Sequence, residues 1–578
     1  MVDAFPPVYN VSGKRAVEAC LERAAWQRVV FADRLRRSNL LELRPTWECR
    51  PIRMHVLRNQ PFEFVGSALR PFCSYGDLEL EIGLSDYDDS LSSVDIPPEV
   101  DIALIWLDFS RYESDEHSIA RWLSARLSDL RKVSAVPVLV TDCAPAAEGS
   151  FAEALNLVLR NDLDSMPGVY VIDQATCAAQ LGESYSDDRL VPVTGSSLSD
   201  AACLMTARAL GFGWLPALSG QTIRAVIVDL DETLYGGVLG EDGPQELTFD
   251  DTHLAIARRL LDLRDRGVFL GLLSRNDPRD VEELFATRPD FGIGSEHFSA
   301  VAVGWDSKAK GMRDILEHLR LGAANVLMID DNLGELASIV NEVPQIHTLW
   351  ANPSDPGETL RALSLYPGLQ VTVPGAADAV RIKDLAASQR RQTELASAGD
   401  PAKYLRSLNL VANMTIDDTG TVSRAHELSM KTNQFNLTLS RLSETDLVRR
   451  ISEPESRVVT GALSDRLSNS GVVFLMVATR RDGKLIVDEL AISCRALGRD
   501  IETPLVLAAL LRVTSELHVS NVQLPFSPGP RNEPVLLWLQ TLGCNPTLGV
   551  PTLSWNSEEA RRQMADGFIT VNWVDDVQ

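Results

Sequence analysis

Two aspartates stand two residues apart in Val228-Asp229-Leu230-Asp231-Glu232-Thr233-Leu234, directly after the apolar run Ala225-Val-Ile-Val228. That spacing puts both carboxylates on one side of an extended chain. One can attack phosphorus while the other protonates the leaving oxygen. A divalent cation must then screen an anionic substrate from them, and Mg²⁺, with its preference for oxygen ligands, suits that role. Ser274 follows Leu270-Gly-Leu-Leu273 as a donor to a phosphoryl oxygen, with Thr233 and Arg275 as further phosphate-binding candidates. Lys308, in Gly304-Trp-Asp-Ser-Lys308, supplies positive charge to offset a developing anion. Asp330 and Asp331 follow Leu327-Met-Ile329 and complete a metal-ligand set with Asp229 and Asp231. Any one of these aspartates, taken alone, reads better as a helix N-cap at a strand-to-helix turn. Four such motifs in order, each at a strand end, point to a phosphoryl-transfer site.

A second group lies near the C-terminal end. Lys431-Thr-Asn-Gln-Phe-Asn-Leu-Thr438 is dense in amide and hydroxyl side chains. Its plain reading is a polar turn ahead of Ser443-Glu-Thr-Asp446, a capping box that opens a helix. Further on, Ile492-Ser-Cys494-Arg495-Ala-Leu-Gly498-Arg499-Asp500 precedes a long apolar helical pattern. Arg495, Arg499 and a helix N-terminus would lower the pKa of Cys494 and raise its thiolate fraction. Such a thiolate can take an acyl group from an acyl phosphate and pass it to another thiol. Its alternative is a buried structural cysteine.

The elements that must position these groups alternate between strand and helix. Strands are predicted at Ile102–Leu107, Val136–Val140, Val169–Ile172, Ala225–Val228, Val268–Leu273, Val301–Val303 and Val326–Ile329, with helical patterns such as Ser118–Val133 between them. This alternation indicates doubly wound, mostly parallel sheets. Gly211-Phe-Gly-Trp-Leu-Pro-Ala-Leu-Ser-Gly220 reads as a linker, and the polar stretch 378–402 as a connecting helix. Strands at Val472–Val477 and Leu485–Leu490 and a helix at Thr503–Leu517 belong to the third region. Few residues separate the Asp229 motif from the next helical pattern, which leaves no room for a large cap over the site.

Asp229-Leu-Asp-Glu-Thr, Ser274, Lys308 and Asp330-Asp331 resemble the four motifs of the haloacid-dehalogenase (HAD) superfamily. The resemblance implies Asp229 as phosphoaspartyl nucleophile, Asp231 as acid/base, Ser274 and Lys308 on the phosphoryl group, and Asp330 with Asp331 as holders of Mg²⁺. Leu234-Tyr-Gly-Gly-Val-Leu-Gly-Glu-Asp-Gly243 narrows the likeness to the FkbH-like branch, which loads a glyceryl unit onto an acyl carrier protein in polyketide assembly. That branch more often has Trp where this chain has Tyr235. Lys431–Thr438 resembles the same branch's segment ahead of its acyltransferase-like domain, which implies Lys431, Asn433, Gln434 and Asn436 as carrier or acyl-transfer contacts, with Arg495, Gly498 and Arg499. Arg495-x-x-Gly498-x-Asp500 resembles the pyrophosphate turn of GNAT acetyltransferases, R/Q-x-x-G-x-G/A, with Asp500 in place of the small residue. Val65-Gly66-Ser67-Ala68 resembles the nucleophile turn of an SGNH hydrolase without the later Asp-x-x-His element, which implies a degenerate domain.

The expected architecture is therefore α/β in three domains: SGNH-like over 1–215, HAD-like over 216–375, a connecting helix over 376–402 and GNAT-like over 403–578. The expected activity is transfer of a glyceryl unit from 1,3-bisphosphoglycerate to the phosphopantetheine thiol of an acyl carrier protein, with dephosphorylation. The alternatives are a Mg²⁺-dependent phosphatase of a free metabolite, or an acyltransferase or carrier-binding scaffold with a silent HAD site. The 578 residues carry 55 Lys+Arg against 80 Asp+Glu, a net charge of −25, which argues against nucleic acid and anionic membrane as partners. Eight scattered cysteines without a CxxC pair, and no apolar stretch reaching membrane-spanning length, lead to the expectation of a cytoplasmic protein with reduced thiols.

Overall fold

Short runs of Val, Ile and Leu build two parallel sheets in the first part of the chain. The first comprises β1 (Arg50–Arg58), β2 (Leu78–Tyr87), β3 (Ile102–Trp106), β4 (Val138–Thr141) and β5 (Val169–Ile172), paired in the order β2-β1-β3-β4-β5. The second comprises β6 (Ala225–Val228), β7 (Phe269–Ser274), β8 (Ala300–Val303), β9 (Val326–Asp330) and β10 (His347–Trp350), in the order β10-β9-β6-β7-β8. Every residue of β3, β4, β6, β7 and β9 is buried, as strands covered by helices on both faces must be. The strands predicted from sequence fall on these elements. The computed structural model describes residues 13–91, 96–134, 136–163, 166–220, 222–369, 400–493, 499–529, 532–542, 556–565 and 568–574, with single positions 387, 390, 391, 394, 496, 497, 552 and 553.

The chain divides into two compact units, Met1–Pro374 and Gly375–Gln578. Both parallel sheets lie in the first, one on either side of the expected boundary near 215. Phe31, Tyr75, Phe212 and Tyr366 join them: their rings meet at centroid distances of 5.0–6.5 Å and tie the helices around the first sheet to the helix after β10. Gln27 adds a polar tie by exchanging two 2.9 Å hydrogen bonds with the backbone of Trp350. The expected linker at 211–220 is instead helical, a five-residue π-turn at Leu210–Trp214 running into Leu215–Leu218. Its Gly211 is required by packing, since a Cβ there would lie 2.6 Å from that of Phe72. With the preceding helix it makes a 19-residue apolar segment, Asp200–Leu218, which is long enough to cross a membrane but is 61 % buried within this unit.

Val65-Gly66-Ser67-Ala68 does not form a turn. It lies in the helix Glu63–Tyr75, whose Val65, Ala68, Leu69 and Phe72 are buried at helical spacing. Ser67 Oγ accepts a 2.9 Å bond from Arg37, with no histidine in its place.

The second unit holds a mixed sheet of β11 (Leu410–Ile416), β12 (Ser456–Ser464), β13 (Asn469–Arg481), β14 (Lys484–Ile492), β15 (Val522–Gln523), β16 (Thr552–Leu553) and β17 (Ile569–Trp573), in the order β16-β15-β14-β13-β12-β11-β17. Strands β11 to β14 pair antiparallel with one another, whereas β17 runs parallel to β11 and β15 parallel to β14, and the apolar helix Glu502–Glu516 matches the predicted one. Most of the expected connecting helix lies outside the described residues.

Candidate active site

In the second sheet the chain order reverses between β6 and β9, which lie side by side. Ligands of doubly wound sheets bind beyond the carboxyl ends of the strands at such a reversal. Asp229 follows β6 and Asp330 ends β9, so the topology brings together two aspartates a hundred residues apart in sequence. The neighbouring helices take their caps from other residues. Asp250, Asp277, Ser307 and Asn332 cap the four longer helices that connect its strands. Asp229, Asp231 and Asp331 are thereby left for other work.

Lys308 Nζ lies 2.7 Å from Asp229 Oδ2 and 2.5 Å from Asp330 Oδ2, and all three side chains are buried. Burial alone would lower the lysine pKa, but the two carboxylates beside it outweigh burial and raise it. Lys308 is the first residue of its helix, at the positive end of the dipole, where a cation is disfavoured. A lysine tolerated there is held by the carboxylates.

Asp229, Asp330 and Asp331 form a group whose carboxylate oxygens all lie within 4.8 Å of one another, the one such group of three potential metal ligands among the described residues. Burial, then the Asp229 charge, push the Asp330 carboxyl up to about 7 and that of Asp331 up to about 6. Asp229 Oδ1 is buried without a hydrogen-bond partner. An orphaned carboxylate oxygen among three crowded carboxylates, all hard oxygen donors, fits a cation of the Mg²⁺ type.

Asp231 does not join that group, contrary to its expected place among the ligands. Its Oδ1 accepts from Tyr235 Oη at 2.8 Å and the Leu239 amide at 2.9 Å, and its Oδ2 accepts from Asn276 Nδ2 at 2.9 Å. The same Asn276 amide reaches Ser274 Oγ at 3.1 Å. The loop that carries these groups is closed by Gly237 at φ 112°, where a Cβ would meet Asp242 Oδ2 at 2.9 Å, and by Glu232 at φ 51°, whose side chain accepts from the Gly237 amide. Thr233 is buried with its hydroxyl unpartnered, and Arg275 turns outward to Glu335 at 2.8 Å. Asn276 and the hydroxyl role of Tyr235 were not foreseen from sequence. Asn276 lies three residues past a predicted strand end, the one signal that marked it.

The second unit places its candidates differently. Asn436 is fully buried and donates to Glu489 at 2.8 Å, so it faces inward rather than toward a partner. Lys431 pairs with Glu427 at 3.0 Å, while Asn433 and Gln434 are exposed. Arg499 is buried against Asp465 at 3.0 Å and Ser470 at 3.3 Å, which corrects its expected role as a surface contact: its charge is already matched by a buried carboxylate. Cys494, Arg495 and Gly498 lie outside the described residues. The predicted capping box is present, with Ser443 and Asp446 bonded reciprocally. Six cysteines lie among the described residues and all are free.

No family model matches the chain, and no curated protein matches it. Among solved structures it is similar to the N-terminal part of a Bacteroides fragilis protein containing a phosphatase domain complexed with Mg, at 18 % identity and TM-score 0.46, covering 62 % of this chain and 100 % of that one. It is also similar to 3-deoxy-D-manno-octulosonate 8-phosphate phosphatase from Yersinia pestis, at 16 % identity and TM-score 0.18, over 25 % of this chain and 81 % of that one. A third is a fungal GCN5-related glucosamine N-acetyltransferase region, at 13 % identity and TM-score 0.13, over 89 % of this chain and 65 % of that one.

Proposed function

We propose that the first unit is a Mg²⁺-dependent phosphoryl-transfer centre in which Asp229 is the nucleophile. The observation that carries this reading is the buried contact of Lys308 with Asp229 and Asp330, beside the unpartnered Asp229 Oδ1. Asp229, Asp330 and Asp331 would hold the cation, which would supply charge to screen the phosphoryl oxygens from the carboxylates. Asp229 attacks phosphorus and becomes an acyl phosphate as the leaving oxygen departs. Asp231, oriented by Tyr235, Leu239 and Asn276, gives that oxygen its proton and then takes one from the water that cleaves the acyl phosphate. Lys308, Ser274 and the free hydroxyl of Thr233 offset charge on the transferred group.

The sequence likeness to FkbH-like proteins supports a finer reading: this dephosphorylation accompanies loading of a glyceryl unit from 1,3-bisphosphoglycerate onto an acyl carrier protein, with Cys494 as acyl acceptor. Intact mass of a holo carrier protein after incubation with the chain, Mg²⁺ and bisphosphoglycerate tests it. A glyceryl increment lost in Asp229→Asn and Cys494→Ala supports both halves. Phosphate release without a carrier adduct leaves only the phosphatase half standing.

A further inference from the structure

One aromatic residue beside the site is unused by the reading above. The loop Gly304–Ser307 leaves the edge strand β8 and returns into the helix that begins at Lys308. At its start the Gly304 amide donates to the Ser274 carbonyl at 3.1 Å. At its end Lys308 rests on Asp229 and Asp330. Both ends of a four-residue loop are therefore anchored on phosphoryl-site residues, and between them stands Trp305, 68 % exposed. No other tryptophan among the described residues is exposed; the rest are buried or half-buried. Gly304, at φ 152°, has open space where a Cβ would stand. On the opposite side of the sequence motif, only the short helix Leu239–Asp242 and the Gly236–Thr248 bridge separate the nucleophile loop from the next long helix.

We propose that Trp305 is a substrate-contacting, specificity-determining residue: its indole packs against the carbon portion of the phosphorylated substrate and selects organic phosphates with a flat or C–H-rich face over small phosphate anions. This rests on the phosphoryl-transfer reading of Asp229. With the phosphoryl group between Ser274 and Lys308, whatever is bonded to it leaves the site past the loop that joins them. An exposed indole there loses water on contact with carbon, and a ring or C–H face is what it attracts. Asp306, the exposed acidic side chain next to it, pairs with Lys310 at 2.5 Å.

The test is binding of phenylphosphonate and methylphosphonate to the Mg²⁺-loaded full chain, measured by titration calorimetry. The wild type is expected to prefer the phenyl ligand roughly tenfold. Trp305→Ala is expected to abolish most of that preference while leaving methylphosphonate affinity unchanged, and Trp305→Phe to retain it. An undiminished preference in Trp305→Ala, or an equal loss for both ligands, overturns the role of Trp305 and spares the phosphoryl site. Failure of the wild type to bind either phosphonate overturns the phosphoryl-transfer reading and this inference with it.

Discussion

Lys308 and Asp229, separated by seventy-nine positions in sequence, meet at 2.7 Å in a site where both side chains are buried. The same ammonium reaches Asp330, so one cation is the shared counter-charge of two strand ends. Removing one member of a buried ion pair is far costlier than never having it, because the partner charge stays behind without water.

Lys308→Met is therefore expected to destabilise the metal-free protein by about 3–5 kcal/mol. Urea unfolding followed with and without Mg²⁺ checks this, and added Mg²⁺ should recover part of the loss by replacing the missing charge. A loss under about 1 kcal/mol, the scale of an exposed pair, would show that the ammonium is not the counter-ion.

The raised carboxyls of Asp330, at about 7, and Asp331, at about 6, predict how Mg²⁺ and pH act together. The folded metal-free protein keeps protons that the unfolded chain releases near the ordinary carboxylate value, so its stability falls as pH rises through about 4 to 7. Below that window the contribution is fully present, and above 7 it is gone. A cation replaces those protons, so the rise in Tm caused by saturating Mg²⁺ should be larger at pH 8 than at pH 6. Equal rises at the two pH values would contradict the assignment of these carboxylates as ligands.

Tyr235 and Asn276 hold Asp231 from two sides. Tyr235→Phe keeps the buried ring and removes one donor, and should cost only about 1 kcal/mol of stability. Phosphate release is expected to fall roughly tenfold in kcat with KM nearly unchanged, since the loss is one of orientation at the acid/base. A rise in KM at constant kcat would place Tyr235 in substrate binding instead.

Much of this was legible before any coordinates. Strand runs such as Val169–Ile172 and Ala225–Val228 match the observed elements residue for residue, because short β-branched runs bounded by polar turns have few alternatives. The clustering of Asp229 and Asp330 was legible because both stand at the ends of apolar strand runs, and that of Lys308 because it opens the helix after a third such run. Gly211–Gly220 misled because its Gly and Pro suggest a break, whereas packing against Phe72 and Phe31 holds it helical. Asn436 and Arg499 misled for the opposite reason: polar side chains carry no sequence mark of whether a buried carboxylate awaits them.

Glu489 shows what such a carboxylate does in the second unit. It is fully buried on β14 and accepts from Asn436 and Thr438 at 2.8 Å, the Ser440 amide at 3.0 Å and Ser429 Oγ at 3.2 Å. All four donors belong to the stretch 429–440, so a single side chain fixes the segment that carries exposed Asn433 and Gln434. Glu489→Ala takes the acceptor from the fully buried Asn436 and Ser429 side chains, and a stability loss of about 3 kcal/mol or more is expected. Glu489→Gln keeps one acceptor oxygen and should lose less. Hydrogen exchange at the Ser440 amide reads the local effect: it should quicken in Glu489→Ala well beyond amides in β12. Phosphate release by the first unit should be untouched in both variants, whereas carrier loading should fall if the segment meets the carrier. Unchanged exchange at Ser440 would mean that the backbone, not Glu489, holds the segment in place.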